Sequence, residues 1–222
     1  MPHKLQVHKF CDDQTETARA IGAVNTLVAK GAGSERRIIG DNTDWSGLHS
    51  IITTYSSRTG HKPVVGLVIG AGGASRAALY SVYKAGVRDI YLVNRTSSTA
   101  MKVRDDLSSI FNITVIPDVT DLPRSPDLVI GTVPAETTTE DRFSTLFQGK
   151  GLCIDMSYKP HQTPLLTVAQ NCPGWVTVTG VEVLLAQAFD QFRLWTGLEP
   201  PKDTMTKAAL GKEAQGYRTA MI

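Results

Sequence analysis

The sequence predicts an α/β protein built on a doubly wound parallel sheet, with a smaller α/β lobe beside it. Three observations predict this. Val64, Val65, Leu67, Val68 and Ile69 form an almost unbroken apolar run, the pattern of a strand buried on both faces. Gly70-Ala71-Gly72-Gly73-Ala74-Ser75-Arg76 follows it and opens a helical pattern in which Ala77, Ala78, Leu79, Val82 and Tyr83 are available for the buried side. A second apolar run, Ile90 to Val93, then ends on Asn94-Arg95-Thr96. Strand, glycine turn, helix and strand within roughly thirty residues make one βαβ unit.

The turn carries a chemical implication. Glycines let the backbone bend sharply and come close to a pyrophosphate, whose charge the N–H groups at the helix start can hold. The sixth position of the glycine pattern is Ser75 rather than Gly or Ala. The strand before and the helix after supply the context that a Rossmann-type dinucleotide site needs; the alternative is a tight βα turn with no ligand. The cofactor-binding set is therefore Gly70, Ala71, Gly72, Gly73 and Ala74, with Asn94, Arg95 and Thr96 at the end of the second strand. A site for NAD usually places Asp or Glu at that end, bonded to the ribose 2′-OH. Here no carboxylate follows until Asp105. Arg95 offers a planar fork of donors that suits a 2′-phosphate, so the cofactor expected is NADP(H).

Composition sets bounds on the rest. The chain has 222 residues, 41% hydrophobic and 20% charged, with net charge +2. That is the balance of a globular protein, and no dense Lys/Arg block points to nucleic acid. No long apolar span or signal-peptide pattern points to a membrane. Cys11, Cys153 and Cys172 are scattered and form no CxxC pair. Such an odd set suggests reduced thiols and a cytoplasmic setting, and no His/Cys cluster calls for a metal. Cys153 reads as core.

In chain order, Pro2 suits a first helical turn, and Leu5, Val7 and Phe10 are expected to supply buried contacts. Thr15 to Ala20 reads as a short capped helix. Ile21 to Ala29 reads as a turn into a strand, and Ile38-Ile39 as its hairpin partner across a loop from Lys30 to Arg36. Gly40-Asp41-Asn42-Thr43-Asp44 then precedes a helix of Leu48, Ile51, Ile52 and Tyr55. Locally this is a helix cap, with Asn42 or Thr43 capping and Asp44 a favourable charge in the first turn. Lys4 alone reads as a solvated cation. Ser56 to Pro63 is a polar linker. Ser97 to Ser109 is helical, and strands are expected at Ile113–Ile116, 127–131, 152–155 and 175–178. Val181, Leu184, Leu185, Ala188, Phe192 and Trp195 follow helical spacing and are expected to pack back on the first segment. Asp203 to Gly216 is a final helix, with a tail from Tyr217.

Several of these stretches together resemble shikimate dehydrogenases: Pro2-His3-Lys4, Gly22-Ala23-Val24-Asn25-Thr26, Gly40 to Asp44, the glycine turn, Asn94-Arg95-Thr96, Asp155-Met156-Ser157-Tyr158-Lys159-Pro160 with Thr163-Pro164-Leu165-Leu166, and Gly180 to Gly197 with Gln187-Ala188. The resemblance spans nearly the whole chain and in detail is similar to the dehydrogenase segment that closes the fungal pentafunctional AROM polypeptide, so other AROM domains are expected partners in the natural polypeptide. It implies that Lys4 and Asp44 are the catalytic pair, that Asn25 and Gln187 bind hydroxyls of the substrate ring, and that Tyr158 lies near its carboxylate. Reversible reduction of 3-dehydroshikimate to shikimate in aromatic amino-acid biosynthesis is the implied activity. A lysine ammonium beside the developing alkoxide fits a hydride transfer, and the choice of proton donor between Lys4 and Asp44 stays open. Gly131-Thr132-Val133 departs from the family's Asn-containing segment and is given no side-chain role.

The same resemblance places the start of the substrate lobe roughly sixty residues or more before Pro2-His3-Lys4. A segment with two carboxylate-binding serines is therefore expected to be missing, leaving a chain that binds NADP and turns over poorly. The division expected is 1–60 for the substrate lobe, 61–180 for the NADP-binding Rossmann domain, and 181–222 for helices returning to the substrate lobe. The alternatives are quinate dehydrogenase, against which Arg95 speaks, and a non-catalytic sensor similar to quinate-pathway repressors, against which the presence of both Lys4 and Asp44 speaks.

Overall fold

The computed structural model describes residues 2–211. Two single-turn 3-10 segments, Pro2–Leu5 and Val7–Phe10, lead into a small mixed sheet and its helix: β1 Asp13–Gln14, α1 Glu16–Ile21, β2 Thr26–Lys30 and β3 Arg37–Asp41. β2 and β3 pair antiparallel as the predicted hairpin, and β1 joins β3 in parallel, giving the order β1-β3-β2. Thr15 caps α1 by accepting from the Ala18 N–H at 3.1 Å, and Gly22 ends it at φ +70°.

α2, Asp44–Thr59, crosses to the large sheet. There follow β4 Val65–Ile69, α3 Gly73–Lys84, β5 Asp89–Val93, α4 Ser97–Leu107, β6 Thr114–Ile116, β7 Leu128–Gly131, β8 Gly151–Asp155, α5 Pro164–Gln170 and β9 Trp175–Val178. The six strands are all parallel in the order β6-β5-β4-β7-β8-β9. The order reverses between β4 and β7, and ligands of such sheets bind at that switch point. α6 Gly180–Thr196 and α7 Lys202–Leu210 complete the described chain.

β4 explains why the sheet is covered on both faces. Val68 points into a core shared with Leu48, Ile52, Leu79 and Val183 on one side. Val65, Leu67 and Ile69 point into the other, with Phe143, Leu166 and Trp175. Each face buries a separate apolar cluster, at roughly 25 cal/mol per Å2 removed from water.

Four expectations are corrected. Ser56–Thr59 belong to α2 rather than to a linker; the Ser56 and Thr59 hydroxyls donate to the Ile52 and Tyr55 carbonyls, and Gly60 stops the helix at φ +70°. Val64 lies outside the strand and is exposed, its N–H held by the Asp127 carboxylate, and Tyr83 sits at the rim stacked on Phe111 at 4.7 Å. Leu5 and Phe10 are exposed, because a single 3-10 turn has no continuous apolar face to lay on the sheet. Of the α6 residues expected to pack, Leu185 is buried and Val181, Ala188 and Phe192 are half-buried, but Leu184 and Trp195 are exposed, and Val183, Ala186, Gln187 and Phe189 are buried with Leu185. Trp195 instead donates its indole N–H to the Leu27 carbonyl at 2.9 Å. The part of the final predicted helix beyond Gly211, and the tail from Tyr217, lie outside the described residues.

Candidate active site

The switch point is built around Gly70. Its φ of +114° favours glycine, and a Cβ there would lie 2.4 Å from Thr132 Oγ1. Ser75 Oγ accepts from the Gly72 N–H at 3.0 Å and lies 2.7 Å from Thr132 Oγ1. Thr132 Oγ1 donates to the Ile69 carbonyl at 2.8 Å. A relay of two hydroxyls therefore clamps the turn across β4, α3 and β7, which gives Thr132 a role that its sequence pattern did not indicate. On the open side nothing lies within 4 Å of where a Gly72 Cβ would be. The first N–H groups of α3, from Gly73, Ala74 and Ser75, are those a helix leaves without an intrahelical partner, at its positive end. An open backbone of this kind fits a pyrophosphate.

The end of β5 forms the other half of this region. Asn94 donates to the Thr96 carbonyl at 2.9 Å, which fixes the bend, and Arg95 and Thr96 are exposed. With Gly70, Val133 and Arg142 they border a cavity of about 310 Å3 whose lining contains no carboxylate. A 2′-phosphate fits that chemistry better than a bare ribose hydroxyl. The residues expected to hold a dinucleotide therefore lie in two places, the Gly70–Ala74 turn after β4 and the Asn94–Thr96 bend after the neighbouring β5.

A second, polar cluster forms where β2, β3, α2 and α6 meet. Lys4 Nζ pairs with Asp44 Oδ2, and their side chains are only 13% and 7% exposed. Asn25 Nδ2 donates to Asp44 Oδ1 at 2.9 Å and is 3.3 Å from Gln187 Oε1. Asn25 Oδ1 accepts from the Thr43 N–H at 2.7 Å. Thr43 Oγ1 donates to Gln187 Oε1 at 2.9 Å, and Gln187 Nε2 donates to the Leu184 carbonyl at 2.8 Å. Asp44 thus has one oxygen on Lys4 and the other on Asn25, a fully paired carboxylate in a low-solvent site. Asn42 is the cap: its Oδ1 accepts from the Asp44 N–H at 3.0 Å while its Nδ2 donates to the Ala23 carbonyl at 2.9 Å. Thr43, weighed only as a cap, joins Asn25 to Gln187. Gly47 makes the cluster possible, because a Cβ there would lie 2.7 Å from the Gln187 backbone nitrogen and hold α6 away from α2.

Lys4 joins the two regions. Its carbonyl accepts from the Val24 N–H at 2.9 Å, which ties the 3-10 turn to the start of β2. A Cβ on Gly73 would lie 2.8 Å from Lys4 Cβ, so the first residue of α3 must be this small for Lys4 to sit beside the glycine turn. Lys4 and Ala74 line a second cavity of about 310 Å3 with Val133, Met156 and Tyr158. Tyr158 is exposed on its rim, away from the Asn25–Gln187 network. Its loop is anchored by Asp155, which accepts from the Ser157 N–H at 3.0 Å and the Thr163 hydroxyl at 2.7 Å. Burial pushes the Asp155 carboxyl above its usual range, against those two hydrogen bonds. Cys153, two residues before it on the same strand, is fully buried with its thiol pushed well up by burial, and is core.

Residues 57–157 match the family model described as shikimate/quinate 5-dehydrogenase, and residues 180–210 match the shikimate 5′-dehydrogenase C-terminal domain. The crystal structure of the shikimate 5-dehydrogenase of Thermus thermophilus in complex with shikimate is 30% identical, covers 98% of this chain and 77% of its own, and superposes with a TM-score of 0.72. The chain belongs to the shikimate dehydrogenase family. A second structure of that Thermus dehydrogenase, in complex with NADP(H) and shikimate, is 29% identical with a TM-score of 0.71 over 94% of this chain and 76% of that one. The pentafunctional AROM polypeptide of Schizosaccharomyces pombe is 36% identical over 218 residues, 92% of this chain and 14% of that polypeptide. This shikimate dehydrogenase-family chain therefore spans about one-seventh (14%) of the length of that curated relative. The solved dehydroquinate dehydratase and shikimate dehydrogenase from the same polypeptide is 36% identical over 95% of this chain and 42% of that chain, with a TM-score of 0.76.

Proposed function

We propose that the chain is an NADP-dependent shikimate dehydrogenase that interconverts 3-dehydroshikimate and shikimate in aromatic amino-acid biosynthesis. The observation that carries this is the desolvated Lys4–Asp44 pair placed directly against the first residue of α3. NADP(H), when bound, supplies or accepts the hydride. The Gly70–Ala74 turn holds its pyrophosphate with backbone N–H groups, and Asn94, Arg95 and Thr96 hold the adenosine end.

Within the chain, Lys4 gives one N–H to Asp44 and places its positive charge and its remaining donors at the oxygen of the reacting carbon. As a ketone becomes an alkoxide, that charge stabilises the oxygen and a proton passes to it; in the reverse direction the hydroxyl gives the proton up. Asp44 fixes the ammonium and is itself fixed by Asn25, so the pair is oriented before substrate arrives. Asn25 and Gln187 present amides to ring hydroxyls, and Tyr158 on the cavity rim contacts the carboxylate end. In this reading the described residues 2–60 and 181–211 form the substrate lobe and 61–180 the cofactor lobe; the rest of the expected 1–60 and 181–222 lies outside the described residues. The three cysteines are free, which suits a reducing, cytoplasmic setting. Among the described residues no helix is long and apolar enough to cross a membrane.

The test is a paired measurement on the purified chain: NADPH and NADH affinity by fluorescence titration, and NADP-dependent oxidation of shikimate beside quinate. Tight NADPH binding with shikimate oxidised faster than quinate is expected. Faster quinate oxidation would assign the other substrate of the family. NADPH binding with turnover of neither substrate would leave two readings, a sensor or the lack of the carboxylate-binding serines, which adding back the upstream segment would separate.

A further inference from the structure

We propose that Arg142 is a second cation for the adenosine 2′-phosphate, acting with Arg95 to select NADP over NAD; this rests on the cofactor reading above. Arg142 lies in the 3-10 turn Glu140–Phe143, between β7 and β8, far along the chain from the β5 end. Phe143 is buried in the core beneath it, which fixes the turn, and the Arg142 side chain, 30% exposed, reaches the cavity bordered by Asn94, Arg95 and Thr96.

Its hydrogen bonding is incomplete. The Arg142 Nε is buried and has no partner. The facing carboxylate, Asp118, has Oδ2 3.8 Å from Arg142 Nη2, beyond hydrogen-bond reach. Asp118 Oδ1 is engaged by the Thr120 N–H and hydroxyl, each at 3.2 Å, so only Oδ2 faces Arg142, in an ion pair too long for a hydrogen bond. A buried guanidinium nitrogen without an acceptor costs free energy unless a ligand supplies one.

The cavity's charge completes the argument. Its lining holds two guanidinium groups and no carboxylate, together with the hydroxyls of Thr96 and Thr137. Asp118, outside the lining, offsets part of the Arg142 charge at 3.8 Å, and an anion within the cavity would meet both guanidinium groups. A phosphate monoester brings nearly two negative charges and three acceptor oxygens, enough for two planar donor forks. A free ribose 2′-OH would find donors but no carboxylate to accept its proton.

The test is fluorescence titration of NADPH and of NADH with the wild-type chain, Arg142→Gln, Arg142→Lys and Asp118→Asn, at low and moderate salt. Arg142→Gln is expected to weaken NADPH about 10- to 100-fold, the range of a lost charged hydrogen bond, while NADH changes by less than about threefold. Arg142→Lys should recover part of the loss. Asp118→Asn should leave NADPH affinity unchanged or raise it, because it frees the guanidinium. NADPH affinity should also fall less steeply with salt in Arg142→Gln than in the wild type. Equal loss of NADPH and NADH in Arg142→Gln would make the residue merely structural and overturn the proposal. A wild-type preference for NADPH that survives Arg142→Gln would overturn it while leaving the NADP reading intact. A wild-type chain that binds both cofactors equally would overturn both.

Discussion

The glycine turn and the Lys4 cluster solve the same problem, holding polar ligand groups at a sheet edge, by opposite means. At the turn the functional groups in the proposed reading are backbone N–H donors, and the side chains of Ser75 and Thr132 fix the turn's geometry. In the cluster the functional groups are side chains brought from four separate elements, and Gly47 and Gly73 only make room. The turn is therefore robust to residue identity except where a Cβ would collide. The cluster depends on the identity of each member. Damage to the first should appear in folding and cofactor affinity, and damage to the second in turnover.

The sharpest attempt to separate them is Lys4→Ala. Turnover of shikimate should fall by about 10^2- to 10^4-fold, the usual contribution of a positioned acid or base, while NADPH affinity stays within about twofold. An equal loss in both would show that the two regions are not separable. Gly70→Ala should do the reverse: its strained φ and the contact with Thr132 cost roughly 1–3 kcal/mol or more, read as a melting temperature lowered by several degrees and as weakened NADPH binding. Thr132→Val keeps the shape and removes one hydroxyl of the relay; a loss of about 1 kcal/mol in cofactor binding, with shikimate affinity unchanged, is expected.

The smallest effect is a pH dependence at Asp155. Burial raises its carboxyl in the folded chain above the unfolded value. Between those two values the native state binds more protons than the unfolded state, so stability falls as pH rises through the window and is level above it. Urea midpoints across mildly acidic pH should show that slope, and Asp155→Asn should flatten it while keeping the bond from the Ser157 N–H.

Legibility followed the same division. A turn whose function is backbone geometry writes itself into a short stretch: apolar run, glycines, helix. The parallel sheet and its glycine turn were readable from Val64 to Thr96 alone. The cluster was not, because its members lie from Lys4 to Gln187 and each has a plain local meaning. Asp44 reads as a first-turn charge, Asn42 as a cap, Gln187 as a structural amide, Lys4 as solvated. Only the resemblance to a family singled them out. The bond of Thr43 to Gln187, the Thr132 relay and the place of Arg142 beside the β5 end escaped it, since a hydroxyl beside a strand end and an arginine in a polar loop carry no periodicity. The misjudged face of α6 has the same origin. Apolar spacing favoured Leu184 and Trp195, but the helix turns its Gln187 side to α2, because Gly47 allows the closest approach there.

The contact of Lys4 with the first residue of α3 also has a thermodynamic consequence. In the proposed reading the catalytic lysine and the first residue of the cofactor helix are packed too closely to admit a Cβ between them, so a shift at one site is felt at the other. If an occupied turn holds Lys4 more firmly, shikimate will bind more tightly to the cofactor-loaded chain. Linkage then requires the cofactor to bind more tightly to the shikimate-loaded chain by the same factor. One ångström-scale contact would thus make the two binding steps a single cooperative event.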